Sequence, residues 1–447
     1  MAHFIVETEY GNIPADAVSI AKNAIIDGLG VALAGTREPA GLIVSEFAKE
    51  TGETGGATVI GQEFTTSALL AALANGTLMH ALAFDDVATS WLGHPTAVIL
   101  PAALAIGEIA KASGEELLKA YLLGCEVAAK IGQIAAPRQH ELSWHNTSTI
   151  GTIGAAAACA RLLKADVHQT KMVLGIAGSE ASGLKGNFGS MTKPLHAGLA
   201  ARNGVMAAML AKKGFSANES ILEKHLGFAF TFLGERGSQP SRSDLNLGKP
   251  FDLLSPGRTT KPYACCRDTH GCIDASLYLK KAYGISAEDV SSVEYQAGEA
   301  AGVAIHRPPL TGLEAKLSMQ FCIAVALLFG EVRLVHFADA MIDEPAVQSL
   351  MMKIRGSERK GIDALSASVT VTLKSGEKHS HTVRRAKGDP ENPLSQTELI
   401  MKFKDCVSGV LSPQGIENSL EILLSLEKLN HVTELTHVLS LGSESVR

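Results

Sequence analysis

The sequence predicts a mainly α protein, with a large multihelical domain and a smaller α+β lid domain. Helix-start signals precede apolar-periodic runs throughout the stretch before Gly237. The apolar content comes from small residues rather than rings, with 46% hydrophobic residues, only 5% aromatics and 43 glycines. Period-two alternation appears only after Gly237.

Taken in order, Pro14 opens an amphipathic stretch that ends near Gly35. Ser113 with Glu116 forms a capping box before "LLKAYLLGCEVAAKIG", and Asp166 with Gln169 forms another before "KMVLGIAGSEASGL". Between them, "TIGTIGAAAACARLL" offers the small-residue surface that lets helices approach closely. In "GSMTKPLHAGLAARNG", Pro194 suits a first helical turn. Leu195, Leu199, Met206 and Leu210 then recur at helical spacing up to a stop near Gly214.

From Gly237 to Thr260 the chain turns rich in Ser, Pro and Gly and reads as a connection. Beyond it, "DVSSVEYQAGEAAGVAI", "SASVTVTL" and "KHSHTVRRA" alternate like strands, the last two joined by "KSGE". "EAKLSMQFCIAVALLFG" and "HFADAMIDEPAVQSLMMKI" read as helical, as do "SQTELIMKFKDCV" and "IENSLEILLSLEKL" at the end. The expected division is residues 1–260 with 395–447 as the helical domain and 261–394 as the lid.

At 447 residues, two domains are the natural expectation. A net charge of -6, with no basic run, argues against nucleic acid and anionic membranes as partners. The N-terminal "MAHFIVETEYGNIP" lacks the basic and apolar regions of a secretion signal, and runs such as "PTAVILPAALAIG" contain Pro or are too short to span a bilayer. A cytoplasmic location is expected, with the seven cysteines as reduced thiols. "CCRDTHGC" is the one cysteine cluster, but adjacent cysteines do not make a C-x2-C knuckle and no second pair follows, so no metal is expected there.

Four polar constellations remain. Lys193 sits at a helix entrance, where an ammonium strengthens the pull of a helix N-terminus on a carboxylate. The spacing of "KGNFGSMTK" fails the P-loop pattern. "HALAFDDVATSWLGHPTA" places Asp85 and Asp86 ahead of His94, a pattern that suits either a tuned acid or base or a capping loop. "SWHNTSTIG" sets His145 before an Ala-rich helix, and "TTKPYACCRDTHGCIDA" sets Lys261, Arg267 and His270 at the start of the second domain. Their shared placement suits a small anionic molecule.

These motifs, with "GIAGSEASGL" and "EAKLSMQFCIAVAL", resemble the MmgE/PrpD family, whose members include 2-methylcitrate dehydratase, cis-aconitate decarboxylase and iminodisuccinate epimerase. The resemblance implies a helical domain completed by the C-terminal helices, an α+β lid, a homodimer, no required cofactor and an active site between the domains. It carries over Asp85, Asp86, His94, His145, Lys193 and His270.

The chain departs from the family's usual His-x-x-Asp-Phe followed by Asp-Asp-Thr or Asn-Asp-Thr, having Ala83 and Val87 in place of a carboxylate and a hydroxyl. Thr89 replaces the hydroxyl only if the loop shifts. Sites that grip a hydroxyl discriminate through buried hydrogen bonds. The loss therefore points to a cofactor-independent epimerase of a small di- or polycarboxylate, with His145 and His270 exchanging the α-proton and Lys193 at a carboxylate. The alternative is a lyase of the dehydratase or decarboxylase type, and a third reading is a catalytically silent carboxylate-binding scaffold.

Overall fold

A computed structural model describes residues 1–234, 245–297, 308–358 and 366–440, and divides the chain into two compact units. Unit 1 comprises Met1–Thr259 with the segment from Gln396 onward, and unit 2 comprises Thr260–Ser395. The described residues are mainly helical, as the sequence predicts.

Unit 1 runs through α1 (Ala2–Glu7), α2 (Ala15–Gly35), α3 (Pro39–Thr51), β1 (Ala57–Thr58), β2 (Thr65–Thr66) and α4 (Ala68–His80). β3 (Val87–Ala88), α5 (Pro95–Ile109), α6 (Gly114–Glu141), α7 (Asn146–Leu162) and α8 (Val167–Glu180) follow, then α9 (Thr192–Lys212), α10 (Phe228–Leu233) and β4 (Arg258–Thr259). Both expected capping boxes form, Ser113 with Glu116 at α6 and Asp166 with Gln169 at α8.

α7 lies at the centre, every residue buried except Arg161. It can be central because it is thin: a Cβ on Gly154 would sit 2.9 Å from both the Ala128 Cβ and the Gly124 carbonyl oxygen of α6. α9 crosses α4 in the same way, since a Cβ on Gly198 would meet the Leu73 carbonyl oxygen at 2.2 Å. The Ala and Gly face of α9 is the buried one. Leu195, Leu199, Met206 and Leu210, whose repeat marks the helix, are only part-buried. Close backbone approach fills this core where larger side chains would hold the helices apart.

α2 is the one described helix long and apolar enough to cross a membrane, a case the sequence reading passed over. Of its most apolar window, 72% is buried inside the protein, as expected of a core helix. The stretch before Thr260, read as a plain connection, ends in β4, which pairs antiparallel with β3. Its residues 237–244 lie outside the described residues.

Unit 2 holds α11 (Arg267–Tyr283), β5 (Val290–Ala297), α12 (Gly312–Ala315), α13 (Met319–Phe329), α14 (Pro345–Met351), β6 (Ile354–Glu358), β7 (Ala367–Leu373) and β8 (Lys378–Val383). The strands form one sheet in the order β6-β5-β7-β8, with β5 and β6 parallel and the other pairs antiparallel. β6 had no clear alternating signal. The rest of the expected "DVSSVEYQAGEAAGVAI" strand, 298–305, lies outside the described residues. The chain then returns to unit 1 as α15 (Gln396–Val407), α16 (Pro413–Leu424) and α17 (Thr433–Ser440), with α15 packed on α2.

Candidate active site

In unit 1, helix ends collect the polar residues that the sequence scatters. α4 ends at His80, and the turn after it passes through Ala83 at φ 52, a left-handed conformation that disfavours a side chain. That turn delivers Asp85. Its carboxylate lies 2.9 and 3.0 Å from His80 Nδ1 and 3.0 Å from Nδ1 of His94, the residue that caps α5. The His80 and His94 rings meet edge to face, 4.5 Å between centroids.

His145 caps α7, and its backbone N–H is held by the Gly183 carbonyl at 3.0 Å. Its ring stacks on His80 at 6.0 Å, and its Nδ1 lies 3.1 Å from His196 Nδ1. Phe188 presents an edge to His145 at 4.9 Å, and Lys193 Nζ lies 5.7 Å from the Phe188 centroid. Four histidines, one aspartate and one lysine thus form a continuous cluster.

Burial decides the charge states. It drives His80 down to about 3, against the pull of Asp85 and with the help of Lys193 and His94. His145 is pushed down strongly by burial and by the charges of His80 and Lys193, and His196 is lowered by burial and then by Lys193. Burial works against the Asp85 carboxylate, but the His80 and His94 rings outweigh it and hold the group well below the usual carboxylate range. At neutral pH, Asp85 is an anion and His80 a neutral imidazole. The tautomer consistent with this is Nδ1–H donated to Asp85, which leaves the Nε2 lone pair available. His80 Nε2 is buried with no hydrogen-bond partner among the described residues.

Asp86, next in sequence, does different work. It accepts from the Thr96 backbone N–H at 3.2 Å, from Thr96 Oγ1 at 2.7 Å and from Arg258 Nη1 at 2.8 Å. Arg258 also donates to Tyr121 Oη at 2.6 Å. Asp86 is thus the buried cap of α5. The Thr89 hydroxyl donates to the Gly257 carbonyl at 2.8 Å, tying the β3 end to the segment before β4. At the start of α9, the Lys193 backbone N–H goes to the Ser190 carbonyl and the Thr192 N–H to Ser190 Oγ. The first two backbone N–H groups of α9 are therefore already paired.

In unit 2, α11 carries Arg267 and His270. Arg267 grips buried Asp389 at 2.6 and 3.1 Å. Lys261 is buried, and His270 is fully buried with its ring edge on Tyr263 at 5.2 Å. Neither His270 ring nitrogen makes a hydrogen bond of normal geometry among the described residues. Cys265 Sγ lies 3.1 Å from Thr269 Oγ1.

Among the described residues, the group that brings three metal-capable atoms within 4.8 Å is His80, Asp85 and His94 rather than the cysteine cluster. A cation there would have to displace the proton that His80 Nδ1 shares with Asp85.

Several members of this network carry no local sequence signal. His196 reads as a packing residue on its helix, and Arg258 lies in an aperiodic tract. His80 ends an apolar run, and only its place ahead of Asp85 could have drawn notice.

Comparison with known proteins places the whole chain in a family. The MmgE/PrpD N-terminal domain matches residues 1–241 and the MmgE/PrpD C-terminal domain matches residues 263–428. The chain is 28% identical to a cis-aconitate decarboxylase of Homo sapiens over 446 residues, covering 96% of this chain and 91% of that one. It is 28% identical to the Mus musculus cis-aconitate decarboxylase, covering 94% and 88% of the two chains. It is 25% identical to that of Aspergillus terreus (strain NIH 2624 / FGSC A1156), covering 98% and 95%.

These relatives, named for loss of a carboxyl group, overturn the epimerase expected from Ala83 and Val87. The physical error lay in treating dehydration and decarboxylation alike. A dehydratase must grip and protonate a departing hydroxyl, whereas carbon dioxide leaves without a proton, so the polar groups missing at 83 and 87 do not count against decarboxylation. With both domains matched in order along its length, the chain belongs to the MmgE/PrpD family.

Proposed function

We propose that this enzyme is a lyase that removes one carboxyl group, as carbon dioxide, from a small unsaturated tricarboxylate, with cis-aconitate the first substrate to test. The observation that carries the proposal is the near full-length similarity to cis-aconitate decarboxylases in a chain whose Asp85, His80, His94, His145, His196 and Lys193 form one cluster.

Breaking the carbon–carboxylate bond leaves an electron pair on carbon, delocalised into the adjacent double bond and its carboxylate. One proton must then reach carbon, so each turnover consumes a proton and releases carbon dioxide. Lys193 supplies a fixed cation for a substrate carboxylate. The lowered histidines are neutral while the site is empty. A bound trianion raises the proton affinity of every ring near it, so the proton enters with the substrate and then passes to carbon. Asp85 stabilises the imidazolium formed on His80 or His94.

The test is incubation with cis-aconitate in deuterated water. Trapped carbon dioxide should equal a product that has one carboxylate fewer and one carbon-bound deuterium. Lys193→Met should raise KM about 10- to 100-fold, the value of a charge-assisted hydrogen bond. Addition or loss of water with no carbon dioxide, from this or related tricarboxylates, would overturn the proposal in favour of a hydro-lyase.

A further inference from the structure

The turn that carries Asp85 is anchored from the other end of the chain. Lys402, on α15, is buried. Its ammonium donates to the Phe84 carbonyl at 3.0 Å, 318 residues away in sequence. It also lies 3.8 Å from the centroid of the Phe84 ring and 2.5 Å from Oδ1 of Asp27 on α2. Asp27 is buried too. The peptide is planar, so the Phe84 carbonyl and the Asp85 N–H lie in one rigid unit, and gripping that oxygen sets the plane from which the Asp85 side chain departs.

Three further facts make the grip more than packing. Ala83 holds a left-handed conformation, which persists only where surroundings enforce it. The buried carboxylates of Asp27, Asp85 and Asp86 lie near one another, and Lys402 and Arg258 are the cations paired with two of them. Among the described residues, Lys402 makes no hydrogen bond or ion pair with His80 or His94, and its direct contact with their surroundings is the turn at Phe84.

We propose that Lys402, held by Asp27, is a positioning residue that fixes the Phe84–Asp85 peptide and thereby keeps the Asp85 carboxylate between His80 and His94. Its catalytic consequence rests on the decarboxylase reading above. Its structural consequence does not.

The experiment compares Lys402→Met, Lys402→Gln and Asp27→Asn in the full chain by steady-state kinetics and by nitrogen-15 NMR of the histidine rings. Lys402→Met removes the donor and should lower kcat at least 30-fold while KM stays within about threefold, since Lys402 does not meet substrate. Lys402→Gln can still donate to the Phe84 carbonyl and should recover at least tenfold of that loss. Asp27→Asn leaves the Phe84 contact in place and should lower kcat less than Lys402→Met.

In the NMR spectra, His80 should show one tautomer in the parent protein and a mixture in Lys402→Met. If Lys402→Met does not fold, Lys402→Leu, which also lacks the donor, carries the same spectral comparison. A single unchanged His80 tautomer in a folded variant that lacks the donor, or equal kcat in the Met and Gln variants, would overturn the proposal. Failure to find any decarboxylated product would remove only the kinetic arm and leave the spectra to decide.

Discussion

Replacing Asp85 by asparagine removes one negative charge from between two histidines while keeping the side chain's shape. The carboxylate is fully buried and lies about 3 Å from Nδ1 of both His80 and His94. At ~3 Å and an effective dielectric of ~20, a carboxylate and an imidazolium attract by about 5 kcal/mol. Positive charge spreads over the ring, and the amide dipole of asparagine restores part of the attraction, so about 3–4 kcal/mol of stabilisation of the protonated ring should be lost. At ~1.4 kcal/mol per tenfold, that is a fall in kcat of about 10²- to 10³-fold. An asparagine amide can also donate to Nδ1 and so reverse the tautomer, a change of the kind that makes a comparable Asp-to-Asn substitution in serine proteases costly. KM should not rise, because Asp85 holds rings rather than ligand and its removal takes away a charge that repels the anionic substrate. The assay is initial-rate release of carbon dioxide from cis-aconitate, with thermal unfolding as the control for folding. A folded Asp85→Asn enzyme with kcat within about fivefold of the parent would refute the reasoning.

Arg258→Met should lower stability by about 3–5 kcal/mol, because it leaves the Asp86 carboxylate buried without its cation, and a chemical denaturation curve reads this directly. Gly198→Ala should destabilise by about 1–3 kcal/mol or more, since the new Cβ falls 2.2 Å from the Leu73 carbonyl oxygen and 2.4 Å from Thr77 Oγ1; a drop of several degrees in melting temperature is expected. Thr89→Val should cost about 1 kcal/mol of stability through the lost bond to Gly257, and leave kcat nearly unchanged.

Acid should weaken the fold in a way that depends on Asp27. His80, lowered to about 3, and His145, also strongly lowered, bind fewer protons folded than unfolded, so their contribution is present above about 6.5 and is lost as pH falls below it. Asp27 is raised to about 6 by burial, with Lys402 opposing, so its contribution has the opposite sign: it is present below about 4 and lost as pH rises through 6. Between pH 6 and 4 these three groups leave a net uptake of about one proton on unfolding, or about 1.4 kcal/mol lost per pH unit. Asp27→Asn deletes the opposing group and should steepen that slope, measured as denaturation midpoints across the pH range.

Much of this protein was legible before any tertiary contact was known. The capping boxes at Ser113 and Asp166 act within a single helical turn, so a few neighbouring residues suffice to mark them. The small-residue runs of α7 and α9 announced close helix packing, and the order of motifs along the chain announced the family. His94 and His145 were recognisable as polar groups at helix entrances, and both occupy the N-cap position, though neither side chain bonds to its helix.

The sequence by itself therefore determined the helical architecture and singled out Asp85, His94, His145 and Lys193 as polar groups of interest, because periodicity, capping and motif are short-range properties. Only the tertiary structure decided how those residues pair. Asp85 and Asp86 are adjacent and chemically identical, yet one is shared by two histidines while the other is locked by Arg258, 172 residues away. His196 meets His145 across two helices, and Lys402 reaches the Phe84 carbonyl from the far end of the chain. A buried charge takes whichever partner helix packing brings within about 3 Å, and no local spacing encodes that choice.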